Sequence, residues 1–477
     1  MSIFMPLTHS PPRSPHRGGW AVLFGLSLCL LSSITQAAGW KAGVAKADIT
    51  PDKPMWMSGY ASRDHRATGT LTKLWGKVLI LEDARGKRVA AITLDLVGID
   101  QATSNTLRER IVKEHGLERS SIALLCSHTH CGPVVGHNLM SMYTLTEEDQ
   151  TLVREYTTGL IDEVVTAVGQ ALSDLTPAEL AWGSGKVGFA VNRRTNKEAE
   201  VPALRAAGQL LGPVDHEVPV LQVSSGDEIK AIVFGYACHA TTLSFFEWCG
   251  DDPGFAMQQI EEDYPGTQAM FWAGCGADQN PLPRRTVELA QDYGNRLATE
   301  VQTSLVSNVT PISGDLDVRY DEPELAFASI PTAEQIEAQL TSTNVYEVGR
   351  AKTLKKELEA NGSIRPTYAY PVQTWKLGDG PVWVILGGEV VVDYSIRLKT
   401  EIRMQYGAKP VWVAGYANDV MAYIPSLRVL KEGGYEGEGA MLYYGRPSQW
   451  ADTVEEQIVG TVHEQVKSLQ QNKPPVK

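Results

Sequence analysis

Residues 89–99, "VAAITLDLVGI", and residues 121–127, "SIALLCS", are two apolar runs of strand length and composition. Between them, residues 102–115 carry helical spacing. Strand, helix and strand at these lengths form a crossover unit whose two strands lie parallel, and that commits the chain to an α/β architecture. Residues 146–175 continue the pattern: Leu152, Val153, Tyr156, Leu160, Val164, Val168 and Leu172 recur at helical spacing, an apolar face suited to covering a sheet. Further strands are expected at 218–223, 229–236, 269–273, 382–386 and 411–414, with helices near 283–305 and 453–469. Residues 333–360 read as a charged, helical excursion. The expected fold is therefore α/β, a central mixed sheet flanked by helices.

Several of the apolar strands run into polar motifs. These are Cys126-Ser127-His128-Thr129-His130, Cys238-His239-Ala240-Thr241-Thr242, Gly274-Cys275-Gly276-Ala277-Asp278-Gln279-Asn280-Pro281, Gly387-Gly388-Glu389 and Gly415-Tyr416-Ala417-Asn418-Asp419. In open α/β sheets ligands bind beyond the carboxyl ends of strands, so these ends are expected to converge on the active site. Two or three histidines with one carboxylate make an ordinary catalytic zinc centre, which keeps a position open for water or substrate. His128, His239 and Glu389 suit that role. In an extended His-x-His both rings face one side, so His130 either joins His128 as a ligand or handles protons beside it. A lone strand-end histidine is more often a hydrogen-bonded structural group; the combination is what raises a metal site.

The chain of 477 residues is 43% hydrophobic, enough for a large core, and carries a formal charge of −13. That charge argues against sequence-independent binding to nucleic acid or an anionic membrane surface, since both need a basic face. Residues 1–38 read as a secretory signal: Arg13, His16 and Arg17 precede an apolar run at 20–31, and Ala37 and Ala38 close a stretch of small residues. A secreted or periplasmic protein with no transmembrane segment after cleavage is expected. Five cysteines remain, Cys126, Cys131, Cys238, Cys249 and Cys275, an odd number with room for two disulfides at most and no pairing that sequence assigns.

Seven motifs in order resemble the catalytic domain of the neutral/alkaline ceramidase family: "AGVAKADITP" (42–51), "MSGYASR" (57–63), "SHTHCGP" (127–133), "YACHAT" (236–241), "GCGADQNP" (274–281), "GGE" (387–389), and "AYIPS" (422–426) followed by "GGYEG" (433–437). The family's members are zinc amidases that cleave the N-acyl bond of ceramide. The resemblance implies zinc ligands at His128, His239, Glu389 and Tyr423, with His130 beside the substrate and able to assist proton transfer. It further implies a substrate contact at Arg193, in "AVNRR", and oxyanion stabilisation by Tyr435. Asp278 matches the aspartate of the family's Gly-Asp-Val-Ser-Pro motif. The family serine falls on Asn280, which has no proton to lose, so a covalent serine route is closed and metal-activated water is the expected nucleophile. Asn280 would then orient water or substrate, or donate to the oxyanion. Cys131 replaces a serine common after the family's His-Thr-His and is read as packing. The family carries an immunoglobulin-like domain after the catalytic part, and a catalytic domain spanning 39–477 is expected to lack it.

Three further readings complete the sequence. Asp251-Asp252-Pro253-Gly254 reads as a solvated cap before a helix rather than a second metal site. Trp272 and Trp383 read as core. Asp95 is a candidate to hold a histidine ring from behind. Three functions stay open: an exported zinc hydrolase of a small-molecule or lipid N-acyl amide, a zinc hydrolase of an ester or other amide, and a non-catalytic ligand-binding homologue. Oligomeric state is unspecified.

Overall fold

The expected strand–helix–strand unit opens the site: Arg88–Leu94 and Ile122–Cys126 pair in parallel, with Ala90 opposite Ile122 and Leu94 opposite Cys126. The helix between them, Gln101–His115, starts at Asp100, whose side chain accepts from Thr103 N, and stops at Gly116 in the left-handed region (φ 69°). The computed structural model describes residues 39–307, 309–407 and 410–471; the expected signal segment lies outside them.

Trp40–Asp48, Trp75–Glu82, Thr176–Lys186, Glu217–Ser225, Glu228–Tyr236, Gln268–Ala273 and Thr310–Ile312 join that unit in a nine-stranded sheet. It is mixed as expected: the pairs at its two ends are parallel and those between are antiparallel. The sheet also curls. Gln268 Nε2 reaches Val78 O at 3.0 Å and Lys77 Nζ reaches Ala269 O at 2.8 Å, so one edge strand returns against the opposite half of its own sheet. Strands far apart in pairing order therefore end side by side.

Val382–Leu386 and Val411–Ala414 belong to a second, four-stranded sheet with Leu316–Asp321 and Val372–Leu377. Strand alternation shows how the two sheets stack. Leu79, Leu81, Ala91 and Leu125 share one core cluster with Trp375, Trp383, Ile385 and Trp412, whereas Val78, Ile80, Ala90, Ile92, Val384 and Leu386 turn to the cluster that the helices cover. Glu147–Ser173 lies on the large sheet with Gln101–His115 packed against it, and Val392–Tyr406 and Val454–Gln471 lie on the small one. Trp272 and Trp383 sit between the sheets with ring centroids 5.3 Å apart, in the core as expected. Residues 333–360 are helical as expected, in Ala333–Gln339 and Val345–Asn361, with a small cluster of their own around Ile336 and Leu354.

Three expectations change. The first strand stops at Leu94 rather than running to 99, because Asp95 turns back to accept from Trp75 N at 2.9 Å; Leu96, Val97 and Ile99 stay buried as core-facing loop. Asp251 and Asp252 are buried at the start of the helix Asp251–Asp263, not solvated, with Asp251 Oδ2 accepting from Leu243 N and Asp252 Oδ1 from Thr242 Oγ1. All five described cysteines are buried and free, so neither of the two disulfides for which the sequence left room is formed. Among the described residues no helix is long and apolar enough to cross a membrane.

Candidate metal centre

The two sheets are joined where their strands run out. Leu125 bridges Ala417, Gly274 bridges Ala414, and Ala277 N donates to Val390 O. His128 and His239 arrive there from the large sheet and Glu389 from the small one, with the short strand at Glu389 parallel to that at Tyr423.

His128 is not extended. It sits in the left-handed region (φ 63°), a conformation that costs a non-glycine residue energy and persists only where its surroundings enforce it. That turn, rather than strand alternation, brings the two rings of the His-x-His together, with Nε2 of His130 3.2 Å from Nε2 of His128. His130 is seated against Gly59 (φ 98°), where any Cβ would lie 2.3 Å from the imidazole Nδ1. Its Nδ1 has no hydrogen-bond partner.

Main-chain carbonyls set the other two imidazoles. His128 Nδ1 lies 2.6 Å from Val97 O, and His239 Nδ1 lies 2.8 Å from Gly276 O. A carbonyl only accepts, so each Nδ1 carries the proton and each Nε2 is a bare lone pair. Both Nε2 atoms point at Glu389 Oε2, each at 3.2 Å, and that oxygen receives no hydrogen bond. Electron-pair donors that face one another with no proton between them are a geometry a cation completes. The ligand atoms of His128, His130 and His239 also lie within 4.8 Å of one another. Asp95 takes no part here: the partner behind His128 is the Val97 carbonyl, a group to which every residue type contributes equally and which sequence therefore cannot flag.

The charges follow from burial. Burial, then the neighbouring His128 and His239, hold the His130 ring well below the ordinary imidazole value. Burial, then the Arg193 guanidinium, pull His239 down to about 4. Burial, then Glu389, push the Tyr423 hydroxyl well above the ordinary tyrosine value.

Tyr423 Oη lies 3.2 Å from His239 Nε2 and accepts from Arg193 Nη2 at 3.0 Å. Arg193 connects the remaining residues. Its Nη1 donates to Asn280 Oδ1 at 3.2 Å and lies 3.5 Å from His239 Nε2, while its Nε donates to Glu436 at 2.7 Å. Asp278 fixes this arm from below: its main-chain oxygen accepts from Arg193 N at 2.8 Å, and its carboxyl takes Asn192 Nδ2 and Val392 N. Tyr435 stands at the rim, 43% exposed, its ring 5.2 Å from that of Tyr423. His130, Arg193, His239, Asn280, Tyr423 and Tyr435 all line one cleft of about 650 Å3, with His128 and Glu389 buried behind them.

Sequence reasoning missed Tyr444, whose hydroxyl donates to Glu389 Oε1 at 2.5 Å. It stands in no spacing that marks it. Of the polar strand ends, the one at 415–419 brings the Tyr416 ring within 4.2 Å of that of His128, while Asn418 pairs with the main chain of Leu124 and Asp419 accepts from Tyr368 Oη at 2.6 Å.

Fold and site together define an α/β protein with a buried histidine–carboxylate centre at the strand ends, open to a cleft. Residues 40–311 match the family described as neutral/alkaline non-lysosomal ceramidase, N-terminal, and since that is more than half of the chain, the protein belongs to this family. The neutral ceramidase of Pseudomonas aeruginosa is 26% identical over 333 residues, covering 67% of this chain and 45% of that protein. The neutral ceramidase of Drosophila melanogaster is 23% identical over 272 residues, covering 54% and 38%. The chain thus spans less than half the length of these curated relatives. The crystal structure of the Pseudomonas aeruginosa enzyme superposes with a TM-score of 0.71 at 19% identity, covering 92% of this chain and 76% of that one; a ceramidase complexed with C2 gives the same values. The fold is shared.

Proposed function

We propose that the protein is a zinc-dependent hydrolase of an N-acyl amide bond, ceramidase-like in chemistry. In this reading residues 39–477 are the catalytic domain, and residues 1–38 are a cleaved signal that exports it to the periplasm or beyond. The observation that carries the proposal is the meeting of His128 Nε2, His239 Nε2 and Glu389 Oε2 with no proton among them. Two imidazoles, a carboxylate and the adjacent Tyr423 hydroxyl are a donor set that suits zinc. When bound, zinc supplies Lewis acidity, lowering the pKa of water towards about 7 and polarising a carbonyl oxygen.

The chain's own groups do the rest. His130, buried and neutral with Nδ1 unpartnered, takes a proton from the nucleophile's side and returns it to the leaving amine. Arg193 holds the substrate carbonyl's surroundings rigid through Tyr423, Asn280 and Glu436, and Tyr435 donates its hydroxyl to the developing oxyanion. Asn280 offers no nucleophile. Its Oδ1 accepts from Arg193 Nη1, and its amide nitrogen supplies the donor that orients water or substrate.

Metal analysis of the purified protein and of His128→Ala tests the centre, with stoichiometric zinc expected in the first and loss in the second. Absence of metal, together with ligand binding and stability indifferent to His128→Ala, would leave a non-catalytic homologue. A panel of paired N-acyl amides and esters tests the bond: amide cleavage is expected, and release from esters alone replaces the amidase reading with an esterase one.

A further inference from the structure

Behind Tyr60 the cleft continues into a second chamber of about 350 Å3; the two share Tyr60, Thr241 and Arg284 as a common wall. Tyr60 is packed on His130, with ring centroids 4.7 Å apart, so the chamber begins one side chain from the candidate centre. Its lining includes Arg63, Arg284 and Arg285. Arg284 and Arg285 share a single carboxylate, Glu198. Asp64, a mostly exposed member of the lining, lies 2.6 Å from the ring of His65. The buried acids Asp251 and Asp252 are committed to Leu243 N and Thr242 Oγ1.

Arg63 is the decisive residue. It is 7% exposed, and among the described residues no carboxylate pairs with it. Its donors go to His130 O at 2.7 Å, Phe245 O at 3.0 Å and Met57 Sδ at 3.4 Å, and its Nε has no partner. Thr241, 2% exposed, likewise has a hydroxyl with no hydrogen bond. A buried cation lacking a counter-ion and a buried hydroxyl lacking a partner each cost stability, and an anion entering from the cleft offsets both costs.

We propose that this chamber is a subsite for a carboxylate or similarly sized anion on the substrate, so that the enzyme takes an N-acyl amide bearing a negative charge some atoms from the scissile bond. The proposal rests on the amide-hydrolase reading above and narrows its substrate.

The test is calorimetric titration of the purified protein with N-acetyl ω-amino acids, from glycine to 6-aminohexanoate, each against its neutral methyl amide. At the chain length that reaches the chamber the acid should bind about tenfold tighter than the amide, the size of one charge-assisted hydrogen bond. Thr241→Val, which keeps the side-chain shape, and Arg285→Gln, on a half-exposed residue, should each shrink that preference several-fold. Equal binding of acid and amide at every length, or a preference that neither substitution alters, overturns the subsite. Hydrolysis of the same compounds is read in parallel. Preferential binding of acids without cleavage keeps the subsite and removes the amidase reading; cleavage with no preference does the reverse.

Discussion

Tyr444 donates its hydroxyl to Oε1 of Glu389 at 2.5 Å, and this leaves Oε2 alone to face His128 and His239. The carboxylate is thereby held in one rotation, a single oxygen presented to both imidazoles.

Tyr444→Phe keeps the ring and removes that restraint. Zinc affinity is expected to fall by about 10- to 100-fold, as when an outer partner of a metal ligand is lost. Competition against a chromophoric chelator reads it directly, and unchanged affinity would detach Glu389 from the metal.

Asn280→Asp separates orientation by an N–H donor from mere occupancy of space. The new carboxylate still accepts from Arg193 Nη1, but the amide hydrogens are gone. We expect kcat/KM on an N-acyl amide to drop by about 100-fold, the scale of one lost donor at a developing oxyanion, with zinc content unchanged. An undiminished rate would take Asn280 out of the reaction.

Asp419 ties the protein's stability to pH. Burial pushes its carboxyl up to about 7, against an ordinary value of 3.8. The folded chain therefore keeps this proton over a range where the unfolded chain has released it, so stability falls as pH rises from about 4 through 7. The loss is on the order of a few kcal/mol. Melting temperatures at pH 5, 6, 7 and 8 should decline more steeply for the natural protein than for Asp419→Asn; parallel profiles would show that the residue does not carry the dependence.

Trp383 fills the space between the sheets, with Trp272, Trp375 and Trp412 around it. Trp383→Ala should destabilise the protein by about 3–5 kcal/mol, measured from urea midpoints at constant m. A cost below about 1 kcal/mol would mean that the two sheets close over the gap.

Periodicity in the chain was sufficient for the parts where one residue's burial follows from its neighbours: the helix Gln101–His115, the strand Ile122–Cys126 and the long helix Glu147–Ser173 appear within one or two residues of their expected bounds. The second sheet was not legible, because an apolar run such as Val382–Leu386 has the same composition whichever sheet it joins. At the site, His128, His239 and Glu389 were visible as polar residues at strand ends, and Asn280 and Tyr435 through motif resemblance. What pattern could not supply is the set of contacts made by backbone or by distant side chains: the Val97 carbonyl, the Tyr444 hydroxyl and the unpaired Arg63. Each depends on chain crossings that no local window contains.

His128 and His239 come from the large sheet and Glu389 and Tyr423 follow from the small one, and the hydrogen bonds joining the sheets lie at that same end. An ion held by those residues would be a rivet through two plates as well as a reagent. Its occupancy would then govern mechanical slack between the layers, and with binding confined to the folded chain each tenfold excess over Kd would add about 1.4 kcal/mol to the resistance against their separation.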